Sequence, residues 1–377
     1  MHATVSQTAR LHFEIIDIRA AEGSGFQARW QQLSERACVP NPFWDPAIFL
    51  PAIQYLGHDR ICLATVSRSD GALVGFAPFE IKRYLGFGPK VVRLWTHPYL
   101  PLGSPLIDPD SGRALGELLS GLMAATGLPV LATFIKRFER LSADMPAITV
   151  ERLAQNERAA LKSTLTGAQY RHAQLSKKRR QGLDRRFRRL AGVTAALGPL
   201  EIKLCRDKAL IPSRFEAFLD LENRSWKGAK QTAILSRAND AAFARQIAVN
   251  LAERNACMIA TLTAGDTVLA ALALFESGGE VFSWKTAYDE GYREYSPGTQ
   301  LLARFADPLM GKATGFILDS CAAPGNELAN TLWGERETVA TILFSATGER
   351  LSPALIRLQF GFYERLRATA KRLLRHR

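Results

Sequence analysis

Hydrophobic and polar positions change period repeatedly along the second half of the chain. Short apolar runs rich in strand-forming residues are separated by turns such as Ala264-Gly265-Asp266, which is typical of a hairpin. Apolar positions then recur at helical spacing. The pattern predicts, in chain order, strands over Met258–Thr263, Thr267–Phe275 and Val281–Tyr288, a helix over about Thr299–Met310 and a strand over Phe316–Cys321.

The first half of the chain repeats this order. Its predicted elements are strands over Ile61–Ser67, Leu73–Ile81 and Val91–Trp95, a helix over about Gly112–Thr126 and a strand over Val130–Ile135. The offset is 197 residues from Ile61 to Met258 and 186 residues from Val130 to Phe316. A similar order at a nearly constant offset indicates a duplicated domain. We therefore predict an α/β fold of two tandem mixed-sheet domains packed side by side.

The net charge of +13 is concentrated in two predicted helices. Eight basic residues and Asp184 give Lys177–Arg189 a charge of +7, and six basic residues and Glu364 give Glu364–Arg377 a charge of +5. The apolar stripes of the two helices contain Leu183, Phe187 and Leu190, and Leu355, Leu358, Phe362, Leu366 and Leu373. Both segments are candidates for contact with a polyanion or an anionic membrane. The alternative for the first segment is a solvated connector. The alternative for the second is that its cations only complement the dipole at the C-terminal end of the helix.

The turn after the third strand of the second half suits an anion. Pro297 ends the strand, and Gly298 allows close approach of the backbone. Ser296 or Thr299 can cap the helix that begins near Gln300. Because the first N–H groups of a helix have no partner within it, this turn predicts a phosphate-bearing ligand. The alternative is a capped helix that binds nothing.

Three segments resemble a known family. They are Leu221-Glu-Asn-Arg-Ser-Trp-Lys-Gly228, Trp284-Lys-Thr-Ala-Tyr-Asp-Glu290 and Tyr295-Ser-Pro-Gly298. With the strand order, they are similar to GNAT-fold acyltransferases of the FemAB-like branch, which includes the CelD proteins of bacterial cellulose biosynthesis. The resemblance is close over about residues 160–345. It implies GNAT-like domains, which we place at 1–165 and 196–350, with a basic connector at 166–195 and a basic amphipathic helix at 351–377.

The resemblance also implies a donor site. In GNAT enzymes the pyrophosphate of acyl-CoA lies on the helix that follows the fourth core strand, so acetyl-CoA or another acyl-CoA is the expected co-substrate. The corresponding residues here are Ser296, Gly298, Thr299, Gln300 and Leu301. This chain lacks the family's Gln/Arg-x-x-Gly-x-Gly/Ala motif at this position and has only its glycine, Gly298. The first domain, with Gly103-Ser104-Pro105 at the matching turn, is expected to be structural or to face the acceptor.

Direct acyl transfer needs a base for the acceptor, a donor that polarises the thioester carbonyl and an acid for the leaving thiolate. No histidine occurs between residues 280 and 350, and no triad pattern indicates a covalent intermediate. A backbone N–H of Val281–Tyr288 is the expected polarising donor. The candidate bases are Glu222, Asp289 and Asp319, and the candidate acids are Tyr288, Tyr292 and Tyr295. We select Glu222, Asp289 and Tyr295 as the predicted catalytic residues, with an ordinary surface role as the alternative for each carboxylate.

The acceptor is expected to bind beside these residues. Trp226 would line the cleft and Lys227 would reach a phosphate or carboxylate, unless they are a core residue and an ordinary helix end. Lys285 interrupts a strand that is otherwise apolar, so it needs a partner, for which Asp289 or Asp319 is the candidate. The predicted substrate-binding residues are Trp226, Lys227, Lys285, Tyr288 and Asp319.

Other classes of site are disfavoured. Five cysteines without Cys-x-x-Cys spacing and six histidines without ligand spacing predict a reducing compartment and no metal site. Leu118–Ile135 has 18 uncharged residues, but Gly127-Leu128-Pro129 divides it into a predicted helix and strand rather than a membrane span. No signal peptide is visible, so we predict a cytoplasmic protein, with peripheral association at the inner membrane face as an alternative.

The sequence thus predicts an acyl-CoA-dependent N- or O-acyltransferase that acts on a small-molecule or saccharide acceptor. By resemblance, its context is exopolysaccharide or cellulose biosynthesis. An aminoacyl-tRNA-dependent transferase of the FemAB type is the alternative that the basic segments favour, although nucleic acid is the less expected partner. A non-catalytic scaffold with a degenerate site is a further alternative.

Overall fold

The computed structural model describes residues 10–57, 60–141 and 145–375, and the chain divides into two compact units. The first unit contains the described residues of Met1–Trp44, His58–Asn156 and Thr338–Arg377. The second contains Asp45–Gly57 and Glu157–Glu337. The units are therefore interleaved along the chain, and the linear boundaries at 165, 195 and 350 stay a prediction. Residues 1–9 and 376–377 of the predicted segments lie outside the described residues.

Both units contain strands and helices. The strands are β1 (Leu11–Asp17), β2 (Cys62–Arg68), β3 (Leu73–Arg83), β4 (Lys90–Leu94), β5 (Leu106–Ile107), β6 (Val130–Lys136), β7 (Ile148–Ser163), β8 (Leu200–Cys205), β9 (Cys257–Ala264), β10 (Thr267–Ser277), β11 (Glu280–Tyr288), β12 (Phe316–Asp319) and β13 (Glu335–Ala346). The helices are α1 (Ser24–Arg36), α2 (Pro46–Leu56), α3 (Ala114–Thr126), α4 (Phe138–Leu141), α5 (Gly167–Gln174), α6 (Lys177–Val193), α7 (Ile211–Arg224), α8 (Trp226–Ala229), α9 (Ala238–Glu253), α10 (Pro297–Arg304), α11 (Glu327–Leu332) and α12 (Leu351–Arg375). The predicted α/β class with a mixed sheet is confirmed.

In the first unit the strand order is β1-β2-β3-β4-β6-β13, with β5 paired to β3. The neighbours β4 and β6 run parallel and pair only at Val92↔Val130 and Arg93↔Leu131. The predicted break after Thr126 is present, because Gly127 ends α3 with a left-handed φ of 67°. The segment Leu118–Ile135 is therefore a helix followed by a strand, as predicted. No helix in the described part of the chain is long and apolar enough to cross a membrane.

In the second unit the order is β7-β12-β11-β10-β9-β8, and β7 contributes its residues from Glu157 onward. Every residue of β9 is buried, because α7 and α9 pack on one another and on the sheet, while α10 packs on β9 and β10. Here β11 and β12 are the parallel neighbours, and they too pair at two positions only. Hairpin, third strand, helix and parallel strand thus occur in the same order in both units, as the repeated sequence pattern predicts.

Some boundaries differ from the prediction. The helix predicted over Thr299–Met310 begins at Pro297 and ends at Arg304, since Pro fits the first position of a helix. The strand predicted to reach Cys321 ends at Asp319. Trp226 does not close the helix before it: α7 stops at Arg224, and α8 starts after Ser225, whose side chain accepts a hydrogen bond from Lys227 N.

Candidate active site

A cleft opens in the second unit where β11 and β12 separate. The strands pair at Val281↔Leu318 and Phe282↔Asp319, and β11 then continues without β12 to Tyr288. The cavity at this point has a volume of about 510 Å³. Its walls come from β11, the start of α10, the loop after β12 with α11, and α8. A concave site at the ends of separating parallel strands is a common place for a ligand.

The ionised residues that line the cavity all carry positive charge. They are Lys227, Lys285 and Arg293. Among the described residues that form its walls, none is an aspartate or a glutamate. The apolar part of the lining includes Trp226, Trp284, Leu302 and Trp333. The cavity is therefore suited to a ligand that combines anionic groups with apolar surface.

The wall strand β11 bends at Trp284. Ala273 of β10 pairs with Lys285 and Leu274 pairs with Ser283, so Trp284 is an extra residue in β11. The extra residue of a β-bulge is left out of the ladder, and bulges often re-aim groups beside active sites. The indole contacts the rings of Phe215, Phe243 and Phe275, which hold this part of the strand rigidly. The bulge offers backbone groups on a fixed strand for contact with a ligand.

The predicted anion turn lies at the start of α10. Ser296 adopts a left-handed conformation with φ of 55° and makes no side-chain cap, so the expectation that it caps the helix is wrong. Gln300 N donates to Ser296 O at 3.0 Å. Because proline has no N–H, the first turn offers the N–H groups of Gly298 and Thr299. Ser296, Gly298 and Thr299 all line the cavity.

Two of the residues predicted to bind the donor serve packing. Gln300 is buried, and its Nε2 donates to the carbonyl of Leu183 in α6 at 3.2 Å. Leu301 belongs to the apolar core of the second unit. Tyr295, predicted as the acid, lies under the guanidinium of Arg189, whose Cζ is 5.4 Å from the ring centroid. These three residues are not part of the described cavity wall, whereas Tyr288 is.

Lys227 connects the cavity to a buried carboxylate. Glu222 has no exposed surface, and its Oε1 accepts a hydrogen bond from Lys227 Nζ at 2.7 Å. Its Oε2 accepts from Ile234 N at 2.9 Å, so both oxygens are used. Lys227 Nζ also donates to the carbonyl of Thr286 in β11 at 3.2 Å. Glu222 therefore lies behind Lys227 and fixes the ammonium group at the cavity wall.

Lys285 lies in the same charged cluster. Burial lowers the pKa of its ammonium group, and the nearby charge of Lys227 acts in the same direction, while Glu222 and Asp240 oppose them. The partners predicted for Lys285 occupy other contacts. Asp289 Oδ1 accepts from Gly291 N at 2.8 Å. Asp319 forms a buried two-point ion pair with Arg158, with both N–O distances at 2.7 Å.

Several wall residues had no predicted role. They are Ser283, Arg293, Ser320, Cys321, Asn326 and Trp333. Asn326 caps α11 by accepting from Ala329 N, and an Asn followed by a single Glu at the helix start is a signal that could have been used. Cys321 has a left-handed φ of 52°, which no sequence pattern of this chain indicates. The described residues contain no cluster of side chains that could hold a metal ion.

Part of the second unit matches a known protein family. Residues 177–312 match the family described as acetyltransferase (GNAT) domain, and this range runs from α6 through α10. None of the curated proteins matches the chain. The match covers α10 and most of the cavity wall, so this part of the chain has a GNAT-type acyltransferase fold.

Solved structures agree in fold. FemX aligns with a TM-score of 0.54 at 9% identity, over 92% of this chain and 100% of that chain. The C-terminal domain of a putative lysylphosphatidylglycerol synthetase from Agrobacterium fabrum aligns with a TM-score of 0.50 at 10% identity, over 89% of this chain and 95% of that chain. At such low identity these likenesses show the fold alone. Membership of the CelD branch stays a prediction.

Proposed function

We propose that this protein is an acyl-CoA-dependent acyltransferase that binds its donor in the cleft between β11 and β12. The observation that carries the proposal is the cavity at the start of α10, whose ionised wall residues are cations only. The description of the matched family makes acetyl the first acyl group to test. Small amines and saccharides, expected from the sequence, are the acceptors to test.

The residues present fit a pyrophosphate group. A Cβ built on Gly298 would lie 3.3 Å from Tyr288 Cδ1, so a side chain at this position would crowd the helix start. The N–H groups of Gly298 and Thr299, together with the positive end of the helix dipole, favour an anion there. Arg293 lines the same end of the cavity and can add a charge-assisted hydrogen bond.

Bound acyl-CoA would supply a thioester, the activated bond that acyl transfer requires. A backbone N–H group of β11 beside the bulge at Trp284 would be the donor that stabilises negative charge on the carbonyl oxygen. Tyr288 lines the cavity and is the predicted acid best placed to donate a proton to a thiolate. The proposed roles of Asp289, Asp319 and Tyr295 stay predictions, and their contacts here are structural.

The acceptor side of the site is assigned to Trp226, Lys227 and Lys285. The two lysines on the cavity wall favour an acceptor that carries a carboxylate or phosphate group near its nucleophile. Glu222, predicted as a base, is better placed as a positioning residue, because its carboxylate holds Lys227 and the Ile234 amide. An amine acceptor, after losing its proton to solvent or to a neighbouring group, would attack the carbonyl carbon of the thioester. The C–S bond would then break, and Tyr288 would give a proton to the departing thiolate.

The corresponding place in the first unit is filled by the chain itself. Gly103 N donates to the carbonyl of Phe134 at 3.1 Å, and Lys136 N donates to Ser104 Oγ at 2.8 Å. A Cβ on Gly103 would lie 2.3 Å from the carbonyl oxygen of Thr133. This segment covers the edge of β6 that would otherwise form a cleft next to β4. The second unit is therefore the better candidate for the chemistry.

Calorimetric titration of CoA tests the proposal. We expect Gly298→Val to weaken CoA binding at least about tenfold, or about 1.4 kcal/mol, because the branched side chain meets Tyr288. Gly182→Val is the matched control, since it adds the same branched residue to α6 with nothing within 4 Å of the new Cβ. Unchanged affinity in a folded Gly298→Val protein would contradict this donor site. Absence of CoA binding to the unmodified protein would favour the scaffold alternative.

A transferase that uses aminoacyl-tRNA is the second candidate. The basic helix α6 packs beside the anion turn: Arg304 Nη2 lies 2.9 Å from Asp184 Oδ1, and Arg189 Nη2 lies 2.6 Å from Glu294 Oε1. Exposed cations of α6 are thus near the proposed donor site, which favours a polyanionic donor. Displacement of CoA by charged tRNA, but not by uncharged tRNA, would support this candidate over acyl-CoA.

A further inference from the structure

Helix α12 attaches to the first unit through one narrow face. Ile356 is fully buried in a cluster with Val91, Leu131 and Leu343. Pro353 is buried on the same side of the helix. Residues that are three or four positions apart lie on the same face of a helix, so Pro353 and Ile356 form one docking face. This docking face is separate from the apolar stripe that the sequence predicts for α12. The more apolar face of α12 therefore points away from the core.

We define the outer stripe as five large apolar residues of α12 that remain exposed. They are Leu351 at 82%, Leu355 at 51%, Leu358 at 68%, Phe362 at 65% and Leu366 at 54%. Their spacing of four, three, four and four residues places them on one side of the helix over about 22 Å. Folded proteins seldom leave so many large apolar side chains together in water without a partner that covers them.

The tip of the β3–β4 hairpin lies beside this stripe. A Cβ on Gly88 would lie 2.1 Å from Gln359 Oε1 of α12, so the tip and the helix are in direct contact. Phe87 is 74% exposed and Leu85 is 36% exposed at the tip. The exposed cations Lys82, Arg83 and Lys90 flank the tip in the sequence. The tip repeats the combination of apolar and basic side chains found on α12.

The charges beside the outer stripe are mainly positive. Arg350 and Arg365 are exposed next to it. Arg357 pairs with Glu151 at 3.2 Å and Arg367 pairs with Glu364 at 3.4 Å, so these two cations are partly neutralised. In the hairpin, Lys82 pairs with the buried Glu80. From Ala368 to the end of the sequence there are four more basic residues and no acidic residue.

We propose that the outer stripe and the hairpin tip bind the surface of a membrane rich in anionic lipids. A helix with an apolar face and flanking cations lies in the lipid interface, where its side chains enter the acyl boundary and its cations meet phosphate groups. Nucleic acid would use the cations but leave the stripe in water. A second copy would cover the stripe but bring like charges together. The lipid surface satisfies both features at once.

Vesicle flotation of the full chain tests this proposal independently of CoA. We expect the protein to float with phosphatidylcholine–phosphatidylglycerol vesicles, less as salt rises, and not with phosphatidylcholine alone. Leu358→Glu with Phe362→Glu should reduce binding at least tenfold. Arg350→Gln with Arg365→Gln should weaken binding to the phosphatidylcholine–phosphatidylglycerol vesicles and reduce its dependence on salt. The matched control is Leu210→Glu with Val249→Glu, which changes exposed apolar residues of the second unit, at 46% and 41%.

Circular dichroism shows whether each variant is folded, and all substituted side chains are exposed. Equal loss of flotation in the control variant would overturn the proposal. Equal binding of the unmodified protein to both kinds of vesicle would also overturn it. So would a dimer in sedimentation equilibrium that Leu358→Glu with Phe362→Glu dissociates, or a gel shift with nucleic acid in the absence of flotation.

Discussion

At the scale of single residues, the charged side chains that line the cavity differ from the charged side chains that hold them in position. Lys227 and Lys285 face the cavity, while Glu222 lies behind Lys227 without exposed surface. Both oxygens of Glu222 accept hydrogen bonds from the protein, and Glu222 is not part of the cavity wall, so a supporting role fits its position better than direct contact with a substrate. The sequence can name Glu222 and Lys227 as candidates, but only the folded arrangement distinguishes a base from a support.

The lysine pair predicts a preference for charged acceptors. Acyl transfer to an amino acid should exceed transfer to the corresponding amide, and Lys285→Met should lower kcat/KM for the amino acid by about ten- to a hundredfold. A charge-assisted hydrogen bond of about 1.5–3 kcal/mol gives this range. The kcat/KM for transfer to the amide should change little in Lys285→Met. Lys178→Met, at an exposed position of α6, is the control. Equal rates with acid and amide in the unmodified protein would contradict the assignment.

At the scale of elements, apolar periodicity identifies the strands that the core buries. β9, β10 and β11 lie where the runs predict them, because their residues are buried over most of their length. β7 has a weaker signal: positions 149–157 are exposed or half-buried without a period, and only the short run 158–161 is continuously buried. The spacing of α12 predicts its stripe, but it cannot tell which face of the helix docks. That choice depends on the residues of β4, β6 and β13 that meet Ile356.

The site divides in the same way. The turn Ser296-Pro-Gly-Thr299 is visible in the sequence because glycine, proline and hydroxyl residues have local conformational preferences. Asn326 and Trp333 reach the same cavity through the loop after β12 and the helix α11, so their position depends on tertiary structure. Ser296 has a left-handed backbone at the point where the chain enters α10, and no local sequence preference indicates this conformation. The helix begins directly after it, at Pro297 and not at the predicted Thr299.

Helix α6 gives an element-scale prediction about polyanions. Changing Lys177, Lys178, Arg185 and Arg188 together to Gln should abolish salt-dependent binding of tRNA, because surface attraction depends on these exposed charges. Acyl transfer to a small acceptor should continue, since Leu183 and Leu190 still pack in the core. Arg189 is left unchanged because it contacts Glu294 and Tyr295. Filter binding at several salt concentrations measures the first effect. A loss of CoA affinity instead would assign the helix to the phosphates of the donor.

At the scale of the whole molecule, the two units share an order of elements but differ at the place where parallel strands separate. In the second unit the end of β11 borders a cavity. In the first, Gly103 and Ser104 hydrogen-bond to β6. A duplicated fold can therefore retain one open site while its own backbone closes the other. Substitution of Gly103 in the first unit and of Gly298 in the second tests which unit binds the donor.

Gly103→Ala should destabilise the protein without affecting the donor site. The new methyl group would lie 2.3 Å from the Thr133 carbonyl oxygen, a backbone atom that cannot rotate away, so we expect a loss of about 1–3 kcal/mol. Denaturant unfolding followed by circular dichroism measures this loss, and calorimetry should find CoA affinity unchanged. Gly298→Val should give the opposite result: a folded protein with weakened CoA binding. If Gly103→Ala abolishes CoA binding while the fold is retained, the donor site must be assigned to the first unit.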